Sequence, residues 1–256
     1  MKFVTLNVNG VRSALSKGLA DWIRETDLDI LCLQEIKLFE TELVEPIFTE
    51  LSYHCAWFPA QKKGYSGVAI ISKKAAKSVE YGCGVESHDF EGRSILAHFD
   101  NFSVLCAYFP SGTTGGIRQT VKMTFLDDIQ NYILALKTRV PNLIICGDVN
   151  ICHTDIDIHN PKANQKSSGF LPEERAWVSS FLAEGFTDCF RFKVPDPHYY
   201  TWWSLRSGAR SRNLGWRIDY VFVNQELNSK ILDAFVRSNI MFSDHCPVEI
   251  IFDLTL

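Results

Sequence analysis

Residues 3–35, FVTLNVNGVRSALSKGLADWIRETDLDILCLQE, decide the fold. The runs Phe3–Leu6 and Ile30–Leu33 are short and largely apolar, which is typical of buried strands. Between them, apolar side chains recur at helical spacing, at Val11, Leu15, Leu19, Trp22 and Ile23. The order strand, helix, strand predicts a crossover unit whose two strands run parallel.

The rest of the chain mixes hairpins with helical crossovers. Asp100-Asn101 separates two apolar runs and favours a two-residue hairpin turn. Strands are predicted at Gly67–Ser72, Arg93–Phe99, Phe102–Phe109, Leu143–Cys146 and Pro247–Leu254, and helices over Val121–Leu136 and from Pro172. This mixture indicates an α/β fold with a mixed sheet, or with two packed sheets that carry helices outside.

Composition favours one domain over residues 1–256. The 256 residues are 46% hydrophobic, and no Gly/Ser tract, Pro-rich run or block of like charge divides them. We expect neither a membrane span nor secretion, because no apolar stretch is long enough for a bilayer and the N-terminus lacks the pattern of a signal peptide. The 8 Cys show no CxxC spacing, which favours buried thiols in a reducing cytosol over disulfides or zinc.

Charge is unevenly distributed along the chain. The formal net charge of -4 argues against nonspecific nucleic-acid binding. However, one stretch without any acidic residue contains Arg206, Arg210, Arg212 and Arg217. The same stretch and its approach hold three of the 6 Trp, namely Trp202, Trp203 and Trp216. Core packing explains most such aromatics, but aromatics among arginines predict a nucleic-acid groove, with stacking or an apolar pocket surrounded by phosphate contacts.

Six polar clusters sit at the ends of apolar runs. They are Asn7, Gln34-Glu35, Tyr108, Gly147-Asp148-Val149-Asn150, Asp219 and Ser243-Asp244-His245. In a mixed sheet, the carboxyl ends of strands share a rim with the starts of antiparallel neighbours. We therefore expect the clusters to converge on one site.

The cluster chemistry suits metal-assisted attack of water on a phosphate. Glu35, Asp148 and Asp244 supply carboxylates, and Asn7 and Asn150 supply neutral carbonyls, which are ligands that a hard cation such as Mg²⁺ prefers. Any one carboxylate alone is more often a solvated surface group. The complete set favours a phosphoryl-transfer site.

Two further side chains have a functional and a structural interpretation. A histidine such as His245 can titrate near neutral pH, and Asp219 would orient its imidazole, whereas a backbone carbonyl would satisfy a merely structural histidine. Tyr108 would donate to a phosphate oxygen or a leaving group, or be an ordinary strand-end aromatic. The placement of His245 before the last strand favours function.

The segment His153–His159 imitates a metal site. If it is extended, period-two spacing puts both His and both Asp on one face. The competing interpretation, which we favour, is a polar edge with Ile156 and Ile158 turned inward.

Taken in order, several strings resemble the exonuclease III family of abasic-site endonucleases, over Lys2 to Phe252. They are LNVNGVR (6–12), LQEIK (33–37), YFP (108–110), GDVN (147–150), WRIDY (216–220) and SDH (243–245). Residues 160–170 and 208–220 look closer to the eukaryotic-type branch than to the enterobacterial one. Each string alone is weak, but the ordered set is specific.

The resemblance implies a four-layer α/β sandwich, with two packed mixed sheets flanked by helices. It implies Mg²⁺-dependent hydrolysis, with Mn²⁺ as an alternative ion, of the phosphodiester 5′ to an abasic site in double-stranded DNA. The product would carry a 3′-OH, and 3′–5′ exonuclease and 3′-phosphodiesterase activities are further expectations. A monomer is expected, in the cytoplasm at a bacterial nucleoid or in a eukaryotic nucleus.

The resemblance also implies residue roles. Metal ligation falls to Asn7, Glu35, Asp148, Asn150, Asp244 and His245, with Glu35 as the principal ligand. Catalysis falls to Tyr108, Asp148, Asn150, Asp219 and His245. Here Asp148 would activate water or protonate the leaving O3′, and His245 would bind the phosphate or accept a proton. Substrate binding falls to Asn164, Trp202, Arg206, Trp216 and Ile218.

The chain departs from the family pattern in places. Ser111 stands where many relatives have Asn or Gln, and the loop Gly112–Gly116 lacks an Arg that some relatives insert into DNA. One-sided insertion through Arg206 is therefore expected. Val4 replaces a reactive Cys, so a redox role is not supported, and Gly169 suggests a roomy groove that favours internal abasic sites over 3′-phosphate ends.

Two other functions remain open from the sequence. One is another phosphoesterase of the wider superfamily, such as a general DNase or a 3′-repair exonuclease. The other is a non-catalytic module that binds damaged DNA, which the complete catalytic set disfavours.

Overall fold

The computed structural model describes residues 1–113 and 115–256, so Thr114 of the loop Gly112–Gly116 lies outside the described residues. The strands are β1 Lys2–Asn7, β2 Ile30–Gln34, β3 His54–Phe58, β4 Val68–Ser72, β5 Ser78–Tyr81, β6 Ser94–His98, β7 Ser103–Tyr108, β8 Leu143–Asp148, β9 Phe186–Asp188, β10 Trp202–Trp203, β11 Gly215–Trp216, β12 Asp219–Asn224, β13 Ile231–Val236 and β14 Val248–Phe252. The helices are α1 Val11–Ser16, α2 Leu19–Thr26, α3 Glu45–Thr49, α4 Glu86–Phe90, α5 Gly116–Arg139, α6 Pro161–Asn164, α7 Pro172–Ala183 and α8 Cys189–Lys193. Short 3₁₀ turns cover Thr41–Leu43, Asp155–Asp157 and Gln225–Lys230.

The helical spacing between the first two strands produces two helices rather than one. Gly18 separates α1 from α2 with a φ of 95°, in the left-handed region that favours glycine. The apolar positions on both sides still face one core, because Val11, Leu19 and Ile23 are all buried. None of the helices in the described part of the chain is long and apolar enough to span a membrane.

Two sheets of six strands form the centre of the molecule. Their strand orders are β13-β14-β1-β2-β4-β3 and β5-β6-β7-β8-β12-β9. The predicted parallel pairing of β1 and β2 is confirmed, with Phe3 opposite Ile30. The predicted hairpin of β6 and β7 is also confirmed, and Phe99 N donates to Phe102 O across the Asp100-Asn101 turn at 2.9 Å.

Apolar side chains fill three layers between and outside the sheets. The middle layer joins both sheets and includes Phe3, Val104 and Val221. An outer layer packs α5 and α7 on the second sheet, and another packs α1, α2 and α3 on the first. The expected α/β sandwich of two mixed sheets flanked by helices is thus confirmed.

Candidate active site

Strand ends from both sheets meet at one rim of the sandwich. In the second sheet Asp148 is the register partner of Tyr108 on one side and of Asp219 on the other. In the first sheet Asn7 at the end of β1 is paired with Gln34 at the end of β2. The predicted convergence follows from this register, since each apolar run stops where its strand reaches the rim.

An amide links the two carboxylates at the centre of the site. Asn7 Nδ2 donates to Glu35 Oε1 at 2.8 Å and to Asp148 Oδ2 at 2.9 Å. Glu35, Asp148 and His245 each offer one ligand atom, and these atoms all lie within 4.8 Å of one another. The Asn7 oxygen instead accepts from Asn9 N at 2.9 Å. In this orientation Asn7 holds the carboxylates in place through its amino group, while its oxygen is turned toward Asn9 N.

Glu35 is further fixed by Lys37. The Lys37 ammonium lies 2.8 Å from Glu35 Oε2 and also contacts Asn9 Oδ1. Burial opposes ionisation of Glu35, but the hydrogen bond from Asn7 and the charge of Lys37 hold its pKa below the ordinary value. Glu35 is therefore an ionised carboxylate at neutral pH.

His245 lies between two buried aspartates. Its Nδ1 is 2.9 Å from Asp219 Oδ2, and its Nε2 is 3.8 Å from Asp148 Oδ2. Burial opposes protonation, but the charge of Asp219 outweighs it and raises the pKa of His245 to about 10. Burial, and then the charge of Asp219, raises the pKa of Asp148 to about 8. The site thus holds a charged imidazole beside a carboxyl group poised to exchange a proton near neutral pH.

Asp244 and Asn150 complete the rim by holding other groups. Asp244 Oδ1 accepts from Asn9 Nδ2 at 2.9 Å, and Oδ2 accepts from Trp202 Nε1 at 3.0 Å. Asn150 N donates to Asp148 Oδ1 at 2.9 Å, and its side chain donates to Phe109 O at 3.0 Å. Both residues line the cavity, and Asp244 lies outside the close group formed by Glu35, Asp148 and His245.

Tyr108 presents a phenol that stays protonated. Burial and then the negative charge of Glu35 raise the pKa of Tyr108 well above its ordinary value. Arg93 supports the strand end, because it donates to Tyr108 O at 2.9 Å and its guanidinium lies 5.0 Å from the ring centroid. Tyr108 is therefore available as a hydrogen-bond donor.

A cavity of about 720 Å³ opens beside these groups. Trp202 and Trp216 meet edge to face with ring centroids 6.0 Å apart, and Ile218 adjoins them. Gly169 has a φ of 95°, and a Cβ there would lie 2.8 Å from Trp216 Cζ3. The glycine therefore permits close approach of the indole while it lines the cavity, and the expected preference for internal abasic sites stays a prediction.

Two predicted substrate-binding residues do not line this cavity. Asn164 donates through Nδ2 to His159 O at 3.1 Å and to Asn160 O at 3.0 Å, so its amide organises its own loop. Arg206 is exposed on the neighbouring loop. Neither is among the described residues that form the cavity wall, so any contact with substrate lies outside it.

The basic stretch divides into exposed and buried arginines. Arg217 is fully buried, with Nε 2.6 Å from Asp157 Oδ1 and Nη2 2.8 Å from Asp188 Oδ2. Arg210 donates to three backbone carbonyls and stacks 4.5 Å over Trp203. The prediction of a four-arginine nucleic-acid face is wrong for Arg217, which is buried, whereas Arg210 is half-buried with its guanidinium held by backbone carbonyls.

The His153–His159 segment is not the extended edge that either interpretation assumed. Asp155–Asp157 forms a 3₁₀ turn, which turns Asp157 inward to Arg217 and leaves Asp155 exposed. Ile158 is buried, as the structural interpretation expected. The four polar side chains therefore do not form a metal site.

Sequence reasoning missed a buried lysine behind the site. Lys122 Nζ donates to Asn150 O at 2.8 Å and lies 2.6 Å from Glu174 Oε1. A signal existed, since Lys122 shares the helical stripe of the buried Phe125, Leu126 and Ile129. A charged residue in such a stripe indicates a buried ion pair. Lys37 was missed as well, although it ends the quoted LQEIK string.

Comparison with known proteins agrees with this geometry. The model of the Endonuclease/Exonuclease/phosphatase family matches residues 4–245. An exodeoxyribonuclease of Bacillus subtilis is 44% identical, with 99% of this chain and 100% of the relative covered. The DNA repair nuclease APEX1 of Danio rerio is 43% identical, with 97% and 81% covered.

A solved structure shares the fold over the whole chain. The AP endonuclease from Archaeoglobus fulgidus superposes with a TM-score of 0.90 at 30% identity, with 99% of this chain and 100% of that one covered. The residues matched by the family model run from β1 to His245, so the matched region contains the site residues described above. The chain therefore belongs to the Endonuclease/Exonuclease/phosphatase family.

Proposed function

We propose that this chain is a divalent-metal-dependent abasic-site endonuclease of DNA repair, which hydrolyses the phosphodiester 5′ to the lesion and leaves a 3′-OH. The observation that carries the proposal is that one ligand atom each of Glu35, Asp148 and His245 lie within 4.8 Å of one another, beside a cavity walled by two indoles. The relatives named as a DNA repair nuclease and an AP endonuclease support it. We further propose that it acts as a monomer on double-stranded DNA, in the nucleoid or nucleus.

The donor set fits a hard divalent cation. Glu35 Oε1 and Asp148 Oδ2 are carboxylate oxygens bridged by one amide, and Asp244 stands nearby. Mg²⁺ prefers such oxygens and keeps open positions for phosphate and water. When bound, it would neutralise negative charge on the phosphate. His245 fits a ligand role less well than Glu35, because a protonated imidazole has no lone pair for a metal.

The other groups can hold the scissile phosphate. The imidazolium of His245 and the phenol of Tyr108 both face the cavity and both donate hydrogen bonds. Charge-assisted donors strengthen as negative charge develops on phosphate oxygens in the transition state. The backbone N–H of Asn150 donates to Asp148 Oδ1 and would keep this carboxyl group turned toward the phosphate.

Asp148 is the group best placed to move the proton. In hydrolysis a water oxygen bonds to phosphorus while the P–O3′ bond breaks, so one proton leaves water and one reaches O3′. A carboxyl group with a pKa near 8 suits either transfer. Asp148→Asn is expected to remove turnover and preserve DNA binding. A substrate with sulfur in place of O3′ needs no acid, so its cleavage by Asp148→Asn would assign the leaving-group role.

Shape and polarity of the cavity favour a sugar without a base. The indoles of Trp202 and Trp216 and the side chain of Ile218 give an apolar wall next to the reacting groups. Extrusion of an abasic nucleotide costs less than that of a normal one, because pairing and stacking are already absent. A closely packed wall then excludes nucleotides that carry a base.

The test uses a labelled duplex with one abasic analogue. We expect a nick 5′ to the lesion with Mg²⁺ and none with EDTA, abolition by Asp148→Asn, and a raised KM in Trp216→Ala. Trp57→Ala, at a tryptophan that packs on Phe48 and does not line the cavity, serves as the matched control. Absence of a Mg²⁺-dependent nick from protein that is active on another phosphoester would overturn the proposal.

A 3′-exonuclease is the second candidate, since the Bacillus relative is named an exodeoxyribonuclease. The same assay with an undamaged duplex and with a 3′-phosphate end decides between them. Dominant removal of 3′ nucleotides, with weak nicking at the internal lesion, would favour the exonuclease. Arg206→Ala is expected to weaken abasic-DNA binding, and unchanged affinity would contradict insertion by Arg206.

A further inference from the structure

Three cysteine side chains meet in the core between the two sheets, below the active-site rim. Cys106 and Cys146 are register neighbours on β7 and β8, and Cys32 belongs to β2 of the opposite sheet. All three are free and buried. Their sulfur atoms lie within 4.8 Å of one another. We call these residues the thiol cluster.

Gln34 points into the thiol cluster rather than into the active site. Its Nε2 donates to Cys106 Sγ at 3.1 Å and to Thr5 Oγ1 at 3.0 Å, and the Thr5 hydroxyl is 3.2 Å from Gln34 Oε1. The Cys106 thiol lies 3.5 Å from Leu33 O. An amide N–H directed at sulfur stabilises negative charge there. Gln34 has no part in the proposed hydrolysis, so its orientation needs another explanation.

The sulfur atoms lie close enough together to converge on one three-coordinate metal ion. Metal–sulfur bonds of about 2.3 Å in a trigonal plane place the sulfurs about 4.0 Å apart. The sulfur atoms of the thiol cluster lie within 4.8 Å of one another, so small side-chain adjustments would bring them to this spacing. Simple packing would need no such convergence, since a cysteine in a core behaves as a small apolar side chain.

We propose that Cys32, Cys106 and Cys146 form a trigonal thiolate site for a soft, thiol-seeking cation of the Cu⁺ and Cd²⁺ class. Soft sulfur ligands select such ions, whereas structural zinc prefers four ligands. Among the described His, Cys, Asp and Glu residues, the thiol cluster consists of three cysteines, which is one ligand fewer than a structural zinc site uses. Two thiolates and one thiol neutralise a divalent ion, with two protons released to solvent, so no net charge is buried.

An ion in the thiol cluster would join the sheets beneath the reacting groups. Cys106 and Cys146 lie two residues before Tyr108 and Asp148 on the same strands, and Cys32 lies three residues before Glu35. The bond network would connect β2 to β7 and β8 across the middle apolar layer. Binding to the native state alone raises the melting temperature.

The test loads the full chain during refolding, because a closed core admits an ion mainly when it opens. The reduced protein is refolded with one equivalent of Cd²⁺ and excess Mg²⁺, which occupies the carboxylate site. We expect one bound Cd²⁺ per chain, a thiolate-to-metal charge-transfer band and a higher melting temperature. X-ray absorption at the cadmium edge should count three sulfur neighbours.

Matched variants separate the thiol cluster from other cysteines. Cys106→Ala and Cys32→Ala are expected to lose the band, whereas Cys189→Ala, in the same apolar layer but outside the thiol cluster, keeps it. Retention of the full band in Cys106→Ala would overturn the proposal. If the variants fail to fold, the native chain decides: no band, or fewer than three sulfur neighbours, refutes a trigonal site.

Discussion

Lys122 and Glu174 form a buried ion pair behind the active site, and Lys122→Met tests its contribution. Both side chains are 0% exposed, and Lys122 Nζ lies 2.6 Å from Glu174 Oε1. Lys122 also donates to Asn150 O at 2.8 Å. Glu174 Oε2 accepts from Gly169 N at 2.6 Å and from Leu171 N at 3.0 Å. The pair therefore joins α5 to the Asn150 turn and to the loop that precedes α7.

The expected loss of stability in Lys122→Met depends on the groups that stay buried after the substitution. Met nearly fills the volume of Lys, so the variant loses the charge and its hydrogen bonds without a large cavity. Removing one partner of a buried pair costs about 3–5 kcal/mol, because the Glu174 carboxylate keeps its desolvation without its counter-charge. A domain has about 5–15 kcal/mol of stability, so we expect a weakened but folded protein at low temperature. A shift of about 1 Å at Asn150 would lower kcat about 10²-fold.

Urea denaturation of four proteins measures this effect: the native chain, Lys122→Met, Glu174→Gln and the double variant. Gln removes the stranded charge, so the double variant should be less destabilised than the sum of the singles, by about 1–3 kcal/mol. Lys162→Met, at an exposed lysine on α6, is the control and should change stability by about 0.5 kcal/mol or less. A cost below about 1 kcal/mol for Lys122→Met, or strict additivity in the cycle, would refute the reasoning.

Three further predictions concern the site and its supports. Asp219→Asn removes the charge that raises the pKa of His245 to about 10, so this pKa should fall toward about 6.5 and the activity of the variant, relative to the native chain at the same pH, should decline from pH 6 to 8. Arg217→Met should cost about 3–5 kcal/mol by thermal melting, whereas exposed Arg212→Ala costs about 0.5 or less, and equal losses would contradict the burial. Gly169→Ala should lower both melting temperature and nicking, because its Cβ would lie 2.8 Å from an indole carbon; unchanged kinetics would count against that contact.

The Arg217 prediction has a pH dependence of defined sign. Burial alone would raise the pKa of Asp157, but Arg217 and then Arg191 hold it well below the ordinary value. A carboxyl group with a lowered folded-state pKa stabilises the protein above its unfolded pKa of about 3.9, and this stability is lost as pH falls further. The native chain should therefore weaken below about pH 4, and Arg217→Met should show a smaller acid-dependent change in its unfolding free energy.

The sequence allowed prediction of the rim because of strand geometry. Tyr108, Asp148 and Asn7 each end a largely apolar run, and register then makes Tyr108 and Asp148 neighbours. The parallel pairing of β1 and β2 was predictable for the same reason, since a helical segment of suitable length separates two apolar runs. Local pattern and global fold agree at these positions.

The arginines were not predictable in this way. Arg206 and Arg217 look alike in the sequence, but one is exposed and the other is buried between Asp157 and Asp188. Their difference depends on carboxylates 60 and 29 residues away in the chain, which no periodicity reports. Gly169 was ambiguous for a related reason, because a missing side chain signals either open space or a close neighbour, and Gly169 both lines the cavity and leaves room for Trp216.

Charge balance at the rim supplies the physical reason for a divalent cation. Glu35, Asp148, Asp219 and Asp244 bring four carboxyl groups together, whereas the compensating cations that contact them are Lys37 and His245. If every carboxyl group ionised, about two negative charges would remain uncompensated in a buried environment. Burying uncompensated charge is unfavourable, and burial together with the charge of Asp219 therefore raises the pKa of Asp148 to about 8. A cation of charge two would offset that excess and release the proton from Asp148 at neutral pH, so cation binding and formation of the catalytic carboxylate should be coupled.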